Sequence, residues 1–138
     1  MALLVPTEGE LELLDKMLKD ALSTDEDFIL HLYKNNYTPV DGTVSTDFTE
    51  ADFTNYVVKT LDRINWAAAK TVSDKAESSY GTTPLSWTCG ASGNTIYGYW
   101  VQGAASAKVC WAERFGTSRV LAMDDVLNLT PKFTLNTE

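Results

Sequence analysis

The sequence predicts a mainly β protein: an antiparallel β-sandwich of seven or eight strands, jelly-roll-like in its most economical version, preceded by one N-terminal amphipathic α-helix. Three observations predict it. Apolar and aromatic residues alternate with period two over most of the chain after Phe28. Clusters of turn-forming residues separate these runs at spacings of roughly 8–12 residues. A long helical period occurs only before Ser23. The chain divides accordingly into an arm and helix, residues 1–27, and a sandwich, residues 28–138, within one domain.

Thr7-Glu8-Gly9-Glu10 fits a capping box, in which the threonine hydroxyl meets a backbone N–H and the glutamate reaches back. Leu11, Leu14, Leu18 and Leu22 then recur at helical spacing, while Glu12, Asp15, Lys16 and Lys19 form the wet side. Two duties suit this helix: covering an open end of the sandwich, or docking on a neighbouring subunit or partner. The apolar tag Ala2-Leu3-Leu4-Val5 keeps the second in view.

Phe28–Lys34 reads as the first strand, with His31 on the face of Ile29 and Tyr33. No second histidine exists and no acid sits at a recognised spacing, so a structural role is expected of His31. Residues 35–52 are turn chemistry, a long loop expected to be functional or to embrace a partner. Thr49–Asp52 caps a short helical turn, and Tyr56–Ile64 is the next strand, extended past a bend by Trp66–Ala69. Residues 70–83 are polar with a weak strand at Ala76–Tyr80. Leu85, Trp87 and Cys89 alternate with Ser86 and Thr88 as a further strand.

The stretch Asn94–Phe115 is the centre of the core: two aromatic strands around the small-residue connection Gly103-Ala104-Ala105-Ser106. Ile96, Gly98 and Trp100 are expected on one face, Tyr97, Tyr99 and Val101 on the other. In the second arm Val109, Trp111, Glu113 and Phe115 oppose Lys108, Cys110, Ala112 and Arg114. Trp87, Trp100, Trp111 and Phe115 are the expected core anchors. Gly98, between two tyrosines, marks a bulge or the close approach of another backbone or ring, with packing the first reading and a ligand contact the second. Gly116-Thr117-Ser118 turns into a short Arg119–Ala122 strand, and Asp124-Asp125 turns again. Val126–Leu135 closes the chain, and Pro131 places it at an edge or bends it where it changes sheets.

The 138 residues carry 19 acidic and 11 basic side chains, a net charge of -8. Without a basic stripe such a chain repels phosphate backbones, so no nucleic-acid partner is expected. No apolar run approaches a membrane span, and the first residues lack a secretory pattern, which predicts synthesis in a cytoplasm. There Cys89 and Cys110 are expected as buried thiols, with a disulfide the alternative. Phosphate loops, CxxC, HExxH, EF-hand and GxSxG patterns are missing. The acids cluster in turns and on the helix, read as solvated, with a weakly bound calcium ion the alternative. No catalytic residue, metal or cofactor is assigned. Glu113 and Arg114, on opposite faces of a buried strand, each need a partner across strands or across a subunit boundary. The rings are expected in the core; Tyr37, Tyr56 and Tyr80, near loops, are those expected to be exposed.

The ordered phrases ALLVPTEGELELL, FILHLYKNNYTPV, DFTEADFTNY, INW, YGYWV, WAERF and LNLTPKFTL run the length of the chain. In these the chain resembles small virion structural proteins of tailed bacteriophages and prophages, the nearest class being jelly-roll capsid decoration (cement) proteins. The resemblance implies a non-enzymic protein that binds and stabilises the major capsid shell. Its partners would be the major capsid protein and further copies of itself, as a trimer, in the virion after synthesis and assembly in the host cytoplasm. Leu3, Leu4, Val5, Leu11, Leu14, Leu18 and Tyr37 are then the expected contact residues. The alternative is a tail, baseplate or fibre component that binds host surface glycan through exposed tyrosines. A third, a glycan hydrolase, has only unpaired acids behind it.

Overall fold

Period-two alternation produces nine strands in the computed structural model, which describes residues 3–9, 27–73 and 75–135. They are β1 (Phe28–Tyr33), β2 (Lys59–Leu61), β3 (Lys70–Val72), β4 (Lys75–Ser79), β5 (Leu85–Thr88), β6 (Thr95–Gly103), β7 (Val109–Val120), β8 (Val126–Leu129) and β9 (Lys132–Leu135). Every pairing between them is antiparallel, in sheets ordered β2-β1-β6-β7, β3-β4-β9 and β5-β8. The mainly β class therefore stands.

The central hairpin is β6 with β7, and β6 is interior, flanked by β1 along its other side. The facing of its side chains departs from strict alternation. Val101 lies opposite Trp111 but Gln102 lies opposite Val109, so Cys110 is an extra residue, a β-bulge. Val109 and Trp111, expected on one face, consequently lie in different clusters. A second interruption sets Ile96 opposite Arg119 and Gly98 opposite Arg114, which leaves Phe115–Ser118 facing Tyr97 alone. Ile96 thereby joins Tyr99 and Val101, and Tyr97 joins Trp100. The expected turn at Gly116-Thr117-Ser118 is this bulge, inside a strand that continues to Val120.

The larger cluster takes buried side chains from the four-stranded and two-stranded sheets, among them Leu30, Leu61, Trp87, Tyr99, Trp111 and Leu127, and the three-stranded sheet lays Phe133 against it. The smaller lies on the other face of the four-stranded sheet: Tyr33, Phe48, Trp100, Val109 and Ala112, flanked by Tyr37 and Tyr97. The 35–52 loop covers it. Lys34 N–H donates to Thr49 O and Ala51 N–H to Leu32 O, so the loop returns beside β1 and stacks Phe48 on Trp100 at 4.8 Å. A 3-10 turn at Ser45–Asp47, closed by Asp47 accepting from Val44 N–H, replaces the helical turn expected at 49–52.

The strand expected over 56–64 shortens to β2, because Asn55 adopts a left-handed conformation before it and a 3-10 turn at Arg63–Asn65 follows. The final strand is two. Pro131 falls between β8, paired with β5, and β9, paired with β4, which is the change of sheets its missing N–H favours.

At the N-terminus Leu4 and Ala112 exchange backbone hydrogen bonds of 3.0 and 2.9 Å, and Val109 N–H donates to Glu8 Oε1 at 2.9 Å. Residues 7–9 are helical. The expected helix with Leu11, Leu14 and Leu18 otherwise lies outside the described residues.

Candidate functional site

β7 and β8 are consecutive and joined by a short connection, Leu121–Asp125, the circumstance in which antiparallel strands usually pair. Here they do not: β8 pairs with β5 alone. The connection is drawn toward the end of β5, where Cys89 N–H donates to Asp125 O and Asp124 N–H to Cys89 O, at 2.8 and 2.9 Å. Asp124 takes the left-handed conformation that this turn needs, and Asp125 Oδ2 accepts from Ala122 N–H.

The separation leaves three adjoining hollows of about 330, 330 and 280 Å³. Arg119, Leu127 and Asn128 line both the first and the second; Glu113, Phe115 and Leu129 line both the second and the third. They form one cleft with β7 along one wall and β8 with the start of β9 along the other. Leu3 closes its far end. At the near end three apolar side chains stand in solvent, Val120 (73% exposed), Met123 (64%) and Val126 (51%). Fractions of this size on a turn between two strands show that folding has not covered them.

Charge in the cleft is largely committed. Glu113 Oε2 accepts from the Tyr99 hydroxyl at 2.8 Å, and burial together with that carboxylate pushes the Tyr99 pKa up. Lys132 lies 3.7 Å from Glu77, and Asp125 serves the turn. Arg119 is exposed and has no hydrogen-bond or ion-pair partner among the described residues. Gly116 also opens here, and a Cβ added to it would meet nothing within 4 Å.

Two other features carry polar or aromatic chemistry. Phe28, Arg63, Trp66, Ser78, Trp111 and Phe133 line an apolar hollow of about 280 Å³, and the buried Trp66 Nε1 has no acceptor among the described residues. His31 Nδ1 lies 2.8 Å from Glu50 Oε1, which also accepts from the Tyr56 hydroxyl at 3.0 Å. The acid that the sequence did not offer His31 thus comes from the returning loop. The ring stacks on Trp100 at 4.5 Å, a packed arrangement with no hollow beside it among those described.

Of the expected contact residues, Leu3, Leu4 and Val5 lie half-buried at β7, Leu3 and Val5 against the larger cluster. Tyr37 is half-buried, its ring edge on Phe48 and its hydroxyl 2.9 Å from Thr43 Oγ1. Leu11, Leu14 and Leu18 are outside the described residues. The expected exposure of Tyr56 and Tyr80 is corrected: Tyr80 is buried, and Tyr56 is half-buried with its hydroxyl accepting from Leu32 N–H. Trp87, Trp100 and Trp111 are buried; Phe115 is half-buried because it lines the cleft. Glu113 and Arg114 find partners within the chain, Arg114 donating to Tyr37 O at 2.7 Å and to Asn36 Oδ1 at 2.5 Å.

Sequence reasoning missed Gly116, Arg119 and Asn128 as one wall-to-wall set. The available signal was the apolar triplet Val120, Met123 and Val126 placed among turn residues. Among the described residues no cluster of three or more His, Cys, Asp or Glu could hold a metal ion, and no helix is long and apolar enough to cross a membrane. No protein-family model, no curated protein and no solved structure matches the chain.

Proposed function

We infer that the chain is a non-enzymic structural protein of a phage virion, a capsid decoration protein that binds the major shell and stabilises it through contacts between its own copies and with capsomers. In this reading the three sheets close as a jelly-roll-like sandwich, and the copies form a trimer on the shell. The observation that carries it is the open cleft with its uncovered apolar mouth at Val120, Met123 and Val126. An acidic chain of net charge -8 holds apolar groups in water at an unpaired strand edge, which is what a binding surface requires and a free monomer avoids. The test is light scattering of the purified protein with and without shells that lack it. A trimer that sediments with shells is expected; a monomer indifferent to them sinks the reading.

A second reading, a tail or fibre component that binds host surface glycan, is favoured by the aromatic hollow at Phe28, Trp66, Trp111 and Phe133, since ring faces suit sugar faces. Trp66→Ala would then abolish adsorption to host cells and leave shell binding unchanged.

A further inference from the structure

The geometry points to the middle of the β7–β8 cleft as a binding site for a carboxylate-bearing sugar of the uronic-acid class, free or as a residue of a polysaccharide. This goes beyond the shell-binding reading and does not rest on it. The ground is the inward face of β7. Residues directly opposite across an antiparallel ladder share a face, and Glu113 lies opposite Tyr99 while Arg119 lies opposite Ile96. Tyr99 and Ile96 both belong to the larger cluster, so the carboxylate and the guanidinium stand on the core-facing side of the sheet, where apolar side chains are the rule. Both charges line one hollow, yet among the described residues no ion pair joins them. Their ladder partners are three residues apart on β6, which sets them about 10 Å apart along the strand. One pyranose ring with a carboxylate at one end and hydroxyls at the other spans that gap.

The remaining lining matches such a ligand group by group. Arg119 takes the carboxylate through two parallel N–H bonds, the fork a guanidinium presents. Glu113 gives Oε2 to the Tyr99 hydroxyl and keeps Oε1 for a sugar hydroxyl. Asn128, from the β8 wall, and Thr117 carry a carboxamide and a hydroxyl with no partner among the described residues, donors and acceptors for further hydroxyls. Phe115 and Leu127 offer apolar surface to the C–H face of the ring. Asp125, the acid of the neighbouring hollow, is turned to Ala122 N–H. At about 330 Å³ the hollow lies at the lower end of the range for ligand pockets, room for one sugar.

Amide chemical shifts of the full chain test this by titration with glucuronic acid, its methyl glycoside, glucose and acetate. Glucuronic acid should bind with a Kd on the order of 1 mM and move the amides of residues 113–119 and 126–129. Glucose, which lacks the carboxylate, and acetate, which lacks the ring, should each bind at least about tenfold more weakly. Arg119→Gln should weaken glucuronic acid about tenfold or more and Asn128→Ala about threefold, both at exposed positions, while Ile64→Ser, at 91% exposure outside the cleft, should not. Binding of the methyl glycoside marks a chain-linked sugar and its exclusion a free one, and both support the site. Glucose binding as tightly as glucuronic acid overturns the carboxylate contact; acetate binding as tightly overturns the sugar. Shifts that fall outside the cleft, fail to saturate or persist in full in Arg119→Gln overturn the site, and the two inward charges then serve only to keep a foreign strand off the β7 edge.

Discussion

The Tyr33 ring lies directly over Gly98, so close that a Cβ there would stand 2.6 Å from the Tyr33 hydroxyl oxygen and 2.2 Å from Glu113 O. β1 and β6 pair at these two residues, and the absent side chain is what lets the ring lie flat on the sheet. Gly98→Ala should therefore destabilise the fold by about 2–4 kcal/mol in urea unfolding. Tyr33→Leu in the same chain should recover only part of the loss, since the Glu113 carbonyl remains. Full recovery would show that the ring alone sets the constraint.

Alkaline titration should be steep. Burial raises the pKa of Tyr33 to about 12, with the Arg114 charge partly offsetting it, and burial raises Tyr56 and Tyr99 as well. A raised folded-state pKa contributes stability that is intact below the unfolded value near 10 and is lost as pH climbs toward the folded value. Absorbance at 295 nm should show these three tyrosines ionising together with unfolding above pH 10, not before it. A smooth titration of all six in the native state would contradict their burial.

At the acid end, Asp52 is held below the usual carboxylate range by its hydrogen bond from Lys34, with Asn94 assisting. A depressed pKa contributes stability that is present above the unfolded value near 4 and vanishes as pH falls through the folded one. The pair is exposed, so Asp52→Asn should lower thermal stability only slightly at pH 7 and leave it unchanged in strong acid, where Asp52 is already protonated.

Arg114 ties the start of the 35–52 loop to β7 through Tyr37 O and Asn36 Oδ1 and lies 5.3 Å from the centre of the Tyr97 ring. Arg114→Lys cannot reach both acceptors from one plane, and should cost about 1–3 kcal/mol. Limited proteolysis should then cut first within 35–47, leaving the sheets intact.

Replacing Val120, Met123 and Val126 together by serine should change stability by about 0.5 kcal/mol or less, because these groups are already in water, yet abolish sedimentation with shells. A variant that unfolds would mean the apolar mouth is a packing surface.

What could be read in the sequence was what periodicity controls. The Asn94–Phe115 hairpin, the first strand, the tryptophan anchors, the close approach at Gly98 and the break at Pro131 come from side-chain alternation and backbone chemistry within a few residues. The bulge at Cys110 escaped, since an extra residue changes no composition and only reverses the facing of the residues beyond it, whereas the interruption between Ile96 and Gly98 falls beside the glycine read as marking a bulge or a close approach. The partner of His31 escaped for a different reason: its acid, Glu50, belongs to a loop whose path back along β1 is set by the tertiary burial of Phe48. The cleft escaped too, because it depends on β7 and β8 not pairing, and strand neighbours are invisible in a linear chain.

The bond between Glu8 and Val109 spans 101 positions, and β1 meets no partner in β6 until Thr95–Gly103 has been made. During synthesis β1 can pair with β2 once Lys59–Leu61 has emerged, but its other edge waits for β6, and the Leu3–Val5 segment waits for Ala112 in β7. Loop closure of that length comes before any reward from the contacts it permits, so the domain should fold slowly and after synthesis, with the N-terminal segment docking last. Until it docks, the Ala112 edge that later takes Leu4 is open, and that is the interval in which two nascent copies are most able to pair wrongly.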